Sequence, residues 1–147
     1  MHIDHYPYSP SKNFKNYYFF SEGPNGRIKK TVIYSVLSDA PLVYNLAFGD
    51  EDPITGIISD TAKSNNQDRD KVLATVASTV IDFIKTYGSF PFYAQGSTPP
   101  RTRLYQLSIS YLLDEINRDF TVRGFRNNNW ELFQRNVNYE AFLVEKK

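Results

Sequence analysis

Midway along this chain the spacing of apolar residues changes period, and that change restricts the fold more than any other feature. From Tyr17 to Ile58 the apolar residues sit in short runs broken by turns, and from Leu73 they recur at three and four. Residues 17–20 read as a strand that turns through Gly23-Pro24-Asn25-Gly26 into a longer strand over 28–37, because Asn-Gly between such runs is a strong hairpin signal. In the longer strand Ile28, Lys30, Val32, Tyr34 and Val36 share one face, and Lys29, Thr31, Ile33, Ser35 and Leu37 the other. After Ser38-Asp39-Ala40-Pro41 a third strand is predicted over 42–48, then a polar turn over 49–56 and a short strand at Ile57 and Ile58. The first part is therefore an antiparallel meander.

Leu73, Val76, Val80, Phe83, Ile84 and Tyr87 then fall on one helical stripe, which Gly88 stops. Asn65 and Asn66, in the polar run before it, are the expected caps. A strand over 90–95 and a turn over 96–100 lead to a second helix over 101–117. Its stripe Tyr105, Ile109, Leu112, Ile116 is joined by Leu104, Leu107 and Tyr111, which predicts burial on more than one side. Strands over 120–125, 130–133 and 139–144 follow. This order predicts an α+β fold with a mixed sheet: the meander, then β-α-β-α-β, then a C-terminal hairpin, with helices over at least one face.

Residues 1–15, with Pro7, Ser9, Pro10 and Ser11, read as an N-terminal arm, and residues 16–147 as a single α+β domain. A net charge of +1 provides no global field for nucleic acid or membrane, so any polyanion site has to be local. Cysteine is absent and no apolar run approaches the ~18 residues of a membrane span, which predicts a cytoplasmic protein with no membrane partner. The two histidines, His2 and His5, both lie in the arm. The predicted domain then lacks an imidazole for general-base catalysis and lacks the Cys/His set of a zinc site. No phosphate-binding glycine loop is present, and no metal or cofactor is expected.

Read from Ile28 onward, the order of elements resembles the ribonuclease H-like fold. Nucleases of that fold hold paired divalent metals on clustered carboxylates. Here the strand over 28–37 contains no acid, and the central strand ends in Gln95-Gly96-Ser97, so metal-dependent ribonuclease H activity is not expected; Asp68 and Asp70 supply only part of such a site. The stretches Ser21-Glu22-Gly23-Pro24-Asn25-Gly26-Arg27-Ile28-Lys29-Lys30, Tyr44-Asn45-Leu46-Ala47-Phe48-Gly49-Asp50, Gly96-Ser97-Thr98-Pro99-Pro100-Arg101-Thr102-Arg103-Leu104-Tyr105 and Val137-Asn138-Tyr139-Glu140-Ala141-Phe142-Leu143-Val144, with Lys71-Val72-Leu73-Ala74-Thr75-Val76-Ala77, carry a second likeness. On them the chain resembles a family of short bacterial proteins of unknown function, a likeness that implies no catalytic residue.

The third of these stretches is the candidate site. A helix start offers backbone amides and a positive dipole end, Ser97 and Thr98 add hydroxyls, and an arginine fork grips phosphate or carboxylate with paired hydrogen bonds. Ser97, Thr98, Arg101, Arg103 and Tyr105 are therefore the expected anion-binding residues. Arg101 and Tyr105 share a helical face, whereas Arg101 and Arg103 lie about 200° apart on an ideal helix, which ranks Arg101 first. A purely structural account is also complete: Ser97 or Thr98 as N-cap, Pro99 in the first turn, Arg103 at the surface and Tyr105 in the core.

Weaker candidates are the basic trio Arg27, Lys29 and Lys30, which edge-strand protection explains as well, and Asp50, Asp52 and Thr55, which resemble a calcium-loop fragment but fit a plain turn. Trp130 and the aromatic arm suit base stacking or simple packing. Three functions follow: a small binding or regulatory module for a phosphate-bearing partner, including nucleic acid; a metal-independent ribonuclease-like toxin using Arg101 and Tyr105; or a subunit whose outer strands assemble a homo-oligomer.

Overall fold

The structure, a computed structural model, describes residues 4–11, 15–59 and 66–147. Alternating burial builds the first strands. In β2 (Asn16–Gly23) Tyr17, Phe19 and Ser21 are buried, and in β3 (Gly26–Asp39) Lys30, Val32 and Tyr34 are buried on the same face. The two strands pair with Gly23 opposite Gly26, so the hairpin turns on Pro24 and Asn25 as the Asn-Gly signal predicts. β4 (Leu42–Glu51) continues the meander, and β5 (Ile58–Ser59) folds back on its end. β1 (Tyr8–Pro10) comes from the stretch read as an arm and pairs with β2.

α1 (Arg69–Tyr87) buries Val76, Val80 and Phe83 and ends where the Gly88 N–H bonds the Ile84 carbonyl. It is a crossover, because β6 (Phe92–Ala94) runs parallel to β4. α2 (Pro99–Asp119) then leads to β7 (Phe120–Arg126), which forms a hairpin with β8 (Asn129–Leu132), and β9 (Ala141–Lys146) closes the chain. Among the described residues the strands form one open, mostly antiparallel sheet in the order β1-β2-β3-β4-β6-β9-β7-β8, with β5 beside β4. The α+β class is the one expected from the sequence.

The order differs from the expected ribonuclease H-like one in its second half. The strands on either side of α2 are not neighbours, because β9 lies between β6 and β7, antiparallel to both. The final strand is thus interior rather than an addition at the end. Neighbours on both sides give both rows of its peptide groups partners, and its apolar run Ala141-Phe142-Leu143-Val144 suits a place inside the sheet. Tyr139, just before β9, presses on Gly124 of β7, where a Cβ would lie 2.3 Å from the ring.

Both helices pack on one face of the sheet. Phe83 of α1 stacks on Tyr34 and meets Tyr44 and Phe92 edge-on, while Tyr105 of α2 packs on Phe48 of β4. α2 buries Ile109, Leu112, Leu113 and Ile116, but Leu104, Leu107 and Tyr111 are exposed, contrary to the expected two-sided burial. The polar Thr102, Gln106 and Ser108 widen the buried side instead. No helix among the described residues is long and apolar enough to cross a membrane.

Asn66 does not cap α1. Its side chain bonds the turn of the first hairpin, accepting from Asn25 N–H and donating to the Gly26 carbonyl and the Ser21 hydroxyl. Asp68 occupies the cap position but makes no side-chain cap bond; its carboxylate accepts from the Tyr6 hydroxyl at 2.6 Å and the Ser21 hydroxyl at 2.5 Å. Asn65 lies outside the described residues. Both side chains serve tertiary contacts, and these outcompete local capping.

A tyrosine group fills the opposite end of α1. The Tyr8 hydroxyl donates to Asp82, and that of Tyr34 meets the Thr79 hydroxyl at 2.7 Å. The Tyr17 hydroxyl is buried without a partner among the described residues, and burial, reinforced by the charges of Asp82 and Tyr87, pushes it up to about 12. Burial also holds Tyr34 well above the usual phenol range.

Two outcomes are expected in urea unfolding. Unfolded tyrosines ionise near pH 10 while folded Tyr17 and Tyr34 stay neutral, so their contribution is level below about pH 10 and is lost as pH rises above it. Tyr17→Phe removes the orphan hydroxyl, raises stability by about 1 kcal/mol at neutral pH and makes the alkaline decline shallower.

Candidate functional site

The start of α2 is built by a close backbone approach. A Cβ on Gly96 would lie 2.5 Å from the Thr102 nitrogen and 2.7 Å from Arg101 Cβ, so only glycine lets the strand-to-helix turn fold this tightly. The Gly96 N–H donates to Thr102 Oγ1 at 3.0 Å, and Thr98 is the N-cap, accepting from Arg101 N–H at 3.4 Å. Pro99 and Pro100 occupy the first two helical positions and carry no N–H. The expected set of open backbone amides is therefore absent from this turn: two residues have none, the third bonds its cap, and the Thr102 N–H bonds the Thr98 carbonyl. Anion affinity at this end of α2 has to come from side-chain charge.

The five expected residues divide between two clefts on different sides of the helix. Ser97, Thr98 and Arg103 line a cleft of about 360 Å³ with Gln106 and Asn138. There Arg103 donates to the Asn138 side chain, and Gln106 is held by the Val137 carbonyl and the Tyr139 N–H. Arg101 and Tyr105 line a larger cleft of about 610 Å³ between the starts of α1 and α2 and the end of β4. The 200° separation on an ideal helix accounts for the division.

Within the larger cleft Lys30, Arg69 and Arg101 face Asp50 and Asp68. Lys30 and Asp50 form an ion pair whose side chains are 9% and 13% exposed, so its charges are mostly desolvated. Arg69 is paired with Asp70 at 3.5 Å on the exposed rim. Phe48, Val72, Leu73, Leu104 and the Tyr105 ring supply most of the apolar surface of the wall, and Asn66 and Gln67 add uncharged polar groups. Ser108, one turn beyond Tyr105, lines the same cleft, and its buried hydroxyl has no hydrogen-bond partner among the described residues.

Ser108 was not a candidate on sequence grounds and Lys30 was only a weak one, as part of the basic trio, although each carried a signal for this cleft. Lys30 shares its strand face with Val32 and Tyr34, and the positions 101, 105 and 108 trace one face of a helix. Within the basic trio the edge-strand explanation fails at Lys30, which pairs with Phe19 of β2 and Asp50 of β4, whereas Arg27 and Lys29 pair with β2 alone. The trio's three cations are matched: Arg27 to Glu22 at 3.9 Å, Lys29 to Glu51 at 2.9 Å, and Lys30 to Asp50. Asp52 accepts from the N–H groups of Ile54 and Thr55, a turn contact that holds its carboxyl below the usual range. Trp130 is 40% exposed and packs on Phe125 and Tyr93.

A family model described as a family of unknown function, DUF6934, matches residues 2–147, and the chain belongs to that family. No curated protein and no solved structure matches it.

The buried pair carries a stability prediction. Lys30→Met leaves the Asp50 carboxylate desolvated without its partner and lowers the unfolding free energy by about 3 kcal/mol, whereas Lys30→Met with Asp50→Leu recovers most of the loss. Denaturant midpoints of the wild type and the two variants measure both effects.

Proposed function

With no activity attached to the family, we propose from the chemistry of the larger cleft that the protein is a small binding or regulatory module that holds a phosphate-bearing ligand against Arg101. The observation that carries this reading is the placement of Arg101 and Tyr105, with Lys30 and Arg69, on the wall of one largely apolar concavity. In such surroundings a guanidinium–phosphate contact is less screened than at an open surface. The volume of about 610 Å³ falls within the range of small-molecule sites and suits one phosphate-bearing group. A nucleic acid would engage it through a terminal phosphate or a single unstacked nucleotide.

In this reading Thr98 positions Arg101 by capping the helix, Tyr105 supplies the apolar wall beside it, and Ser97 and Arg103 belong to the smaller cleft. Binding is favoured over cleavage because the carboxylates that could move protons are engaged. Asp50 pairs with Lys30, and Asp68 accepts from Tyr6 and Ser21.

Calorimetric titration with inorganic phosphate at low and moderate salt tests the proposal. Arg101→Ala is expected to weaken binding by about tenfold or more, and added salt to weaken it further. Arg103→Ala is expected to leave it unchanged. Equal losses from the two arginine variants, or no loss from Arg101→Ala, would remove Arg101 as the gripping cation.

A further inference from the structure

Behind the larger cleft lies a second space whose walls are almost wholly apolar. It has a volume of about 80 Å³ and lies between the two helices and the sheet, lined by residues that include Val76, Ala77, Val80, Ala94 and Ile109. Phe48, Leu73 and Tyr105 line this cavity and the cleft alike, so the two adjoin through those three side chains. All three are partly buried rather than locked in the centre of the core.

Resting on the reading above, we propose that the phosphate-bearing ligand is an amphiphile: a phosphate monoester whose short aliphatic chain enters this cavity past Leu73, beside the packed rings of Phe48 and Tyr105. Size selects the chain. The cavity is about half the ~150 Å³ of a site that takes a benzene ring, and at ~30 Å³ for a group the size of a water molecule it holds about three methylenes. A narrow alkyl chain fits, and an aromatic ring does not.

Ser108 supplies the second, independent observation. A helical serine that is cut off from water ordinarily bonds the carbonyl four residues back, as Ser78 does with Ala74 at 2.9 Å. Ser108 is 1% exposed, its Oγ has no partner among the described residues, and the residue lines the larger cleft one turn beyond Tyr105, whose ring borders the apolar cavity. A ligand with its phosphate at Arg101 and its chain in the cavity places the ester oxygen on this stretch of wall, where the serine hydroxyl donates to it. Head, linker and tail of one molecule thus meet a cation, a hydroxyl donor and an apolar pocket in that order.

A chain-length series tests the inference on the intact protein: inorganic phosphate, then ethyl, propyl, butyl and hexyl phosphate, with phenyl phosphate as the ring control, each titrated calorimetrically. Affinity is expected to rise by about fourfold per methylene and to stop rising near the fourth carbon, as expected for burying one CH₂ at a time. Phenyl phosphate is expected to bind no better than the ethyl ester. Ala77→Leu, which fills the cavity, is expected to abolish the gain while keeping inorganic phosphate affinity, and Ser108→Ala to weaken the esters more than inorganic phosphate. If inorganic phosphate binds through Arg101 but the alkyl series is flat, the tail is refuted and the cleft reading stands. If neither phosphate nor any ester binds, both fall. A chain-length gain that persists in a folded Ala77→Leu protein, or in Ala94→Val should the first variant not fold, places the chain elsewhere and overturns the assignment to this cavity.

Discussion

Phe83 has no exposed surface and is surrounded by Tyr34, Tyr44, Tyr87 and Phe92, with ring centroids 4.4 to 5.7 Å away. Those rings come from β3, β4, α1 itself and β6, so this one side chain fastens the first helix across the middle of the sheet. Aromatic contacts at such distances combine a large buried area with preferred geometry, which leaves the helix little freedom to slide. The start of α1 is tied separately, by Asn66 to the turn of the first hairpin and by Asp68 to Tyr6 and Ser21. A helix anchored at its start and near its far end presents a fixed wall, and the larger cleft lies against that wall.

α2 forms the other wall by different means. Its inner side combines apolar residues with Thr102, Gln106 and Ser108, and the first two of these spend their polar groups on the turn before the helix and on the loop before β9. The helix start is closed to ligands at the backbone, because two prolines remove the donors that a phosphate would use and Thr98 takes the next one. Charge in the cleft therefore resides in side chains: Arg101, Arg69 at the rim, and the desolvated Lys30–Asp50 pair. Specificity in such a site depends on shape as much as on charge, which gives the adjoining apolar cavity its importance.

Local patterns in the chain were sufficient for most elements. The Asn-Gly turn located the first hairpin, the stripe from Leu73 to Tyr87 with its terminal Gly88 located α1, and the spacing of Arg101 and Tyr105 placed them together on one side of α2. These signals are short-range: a turn type, a helical period and a stop residue each depend on neighbours within a few positions. The helix caps were harder to read, because Asn66 and Asp68 can serve a helix end locally and were instead drawn to Ser21, Asn25 and Tyr6. Capping bonds and tertiary bonds have similar strengths, and sequence alone does not rank them.

The alternation of apolar and polar residues settled that this chain makes an α+β fold with helices against a sheet, because burial of one face per element follows directly from period. It did not settle which strands are neighbours. β9 inserts between β6 and β7, and pairing across such separations depends on which unpaired edge remains when the chain closes. The same non-local step divided Ser97, Thr98 and Arg103 from Arg101 and Tyr105, set Lys30 against Asp50, and left Leu104, Leu107 and Tyr111 uncovered on the outer side of α2. A residue's period says which side of its element it occupies; what lies opposite is set when all the elements pack together, and the cleft, the cavity behind it and the unpartnered Ser108 exist only at that level.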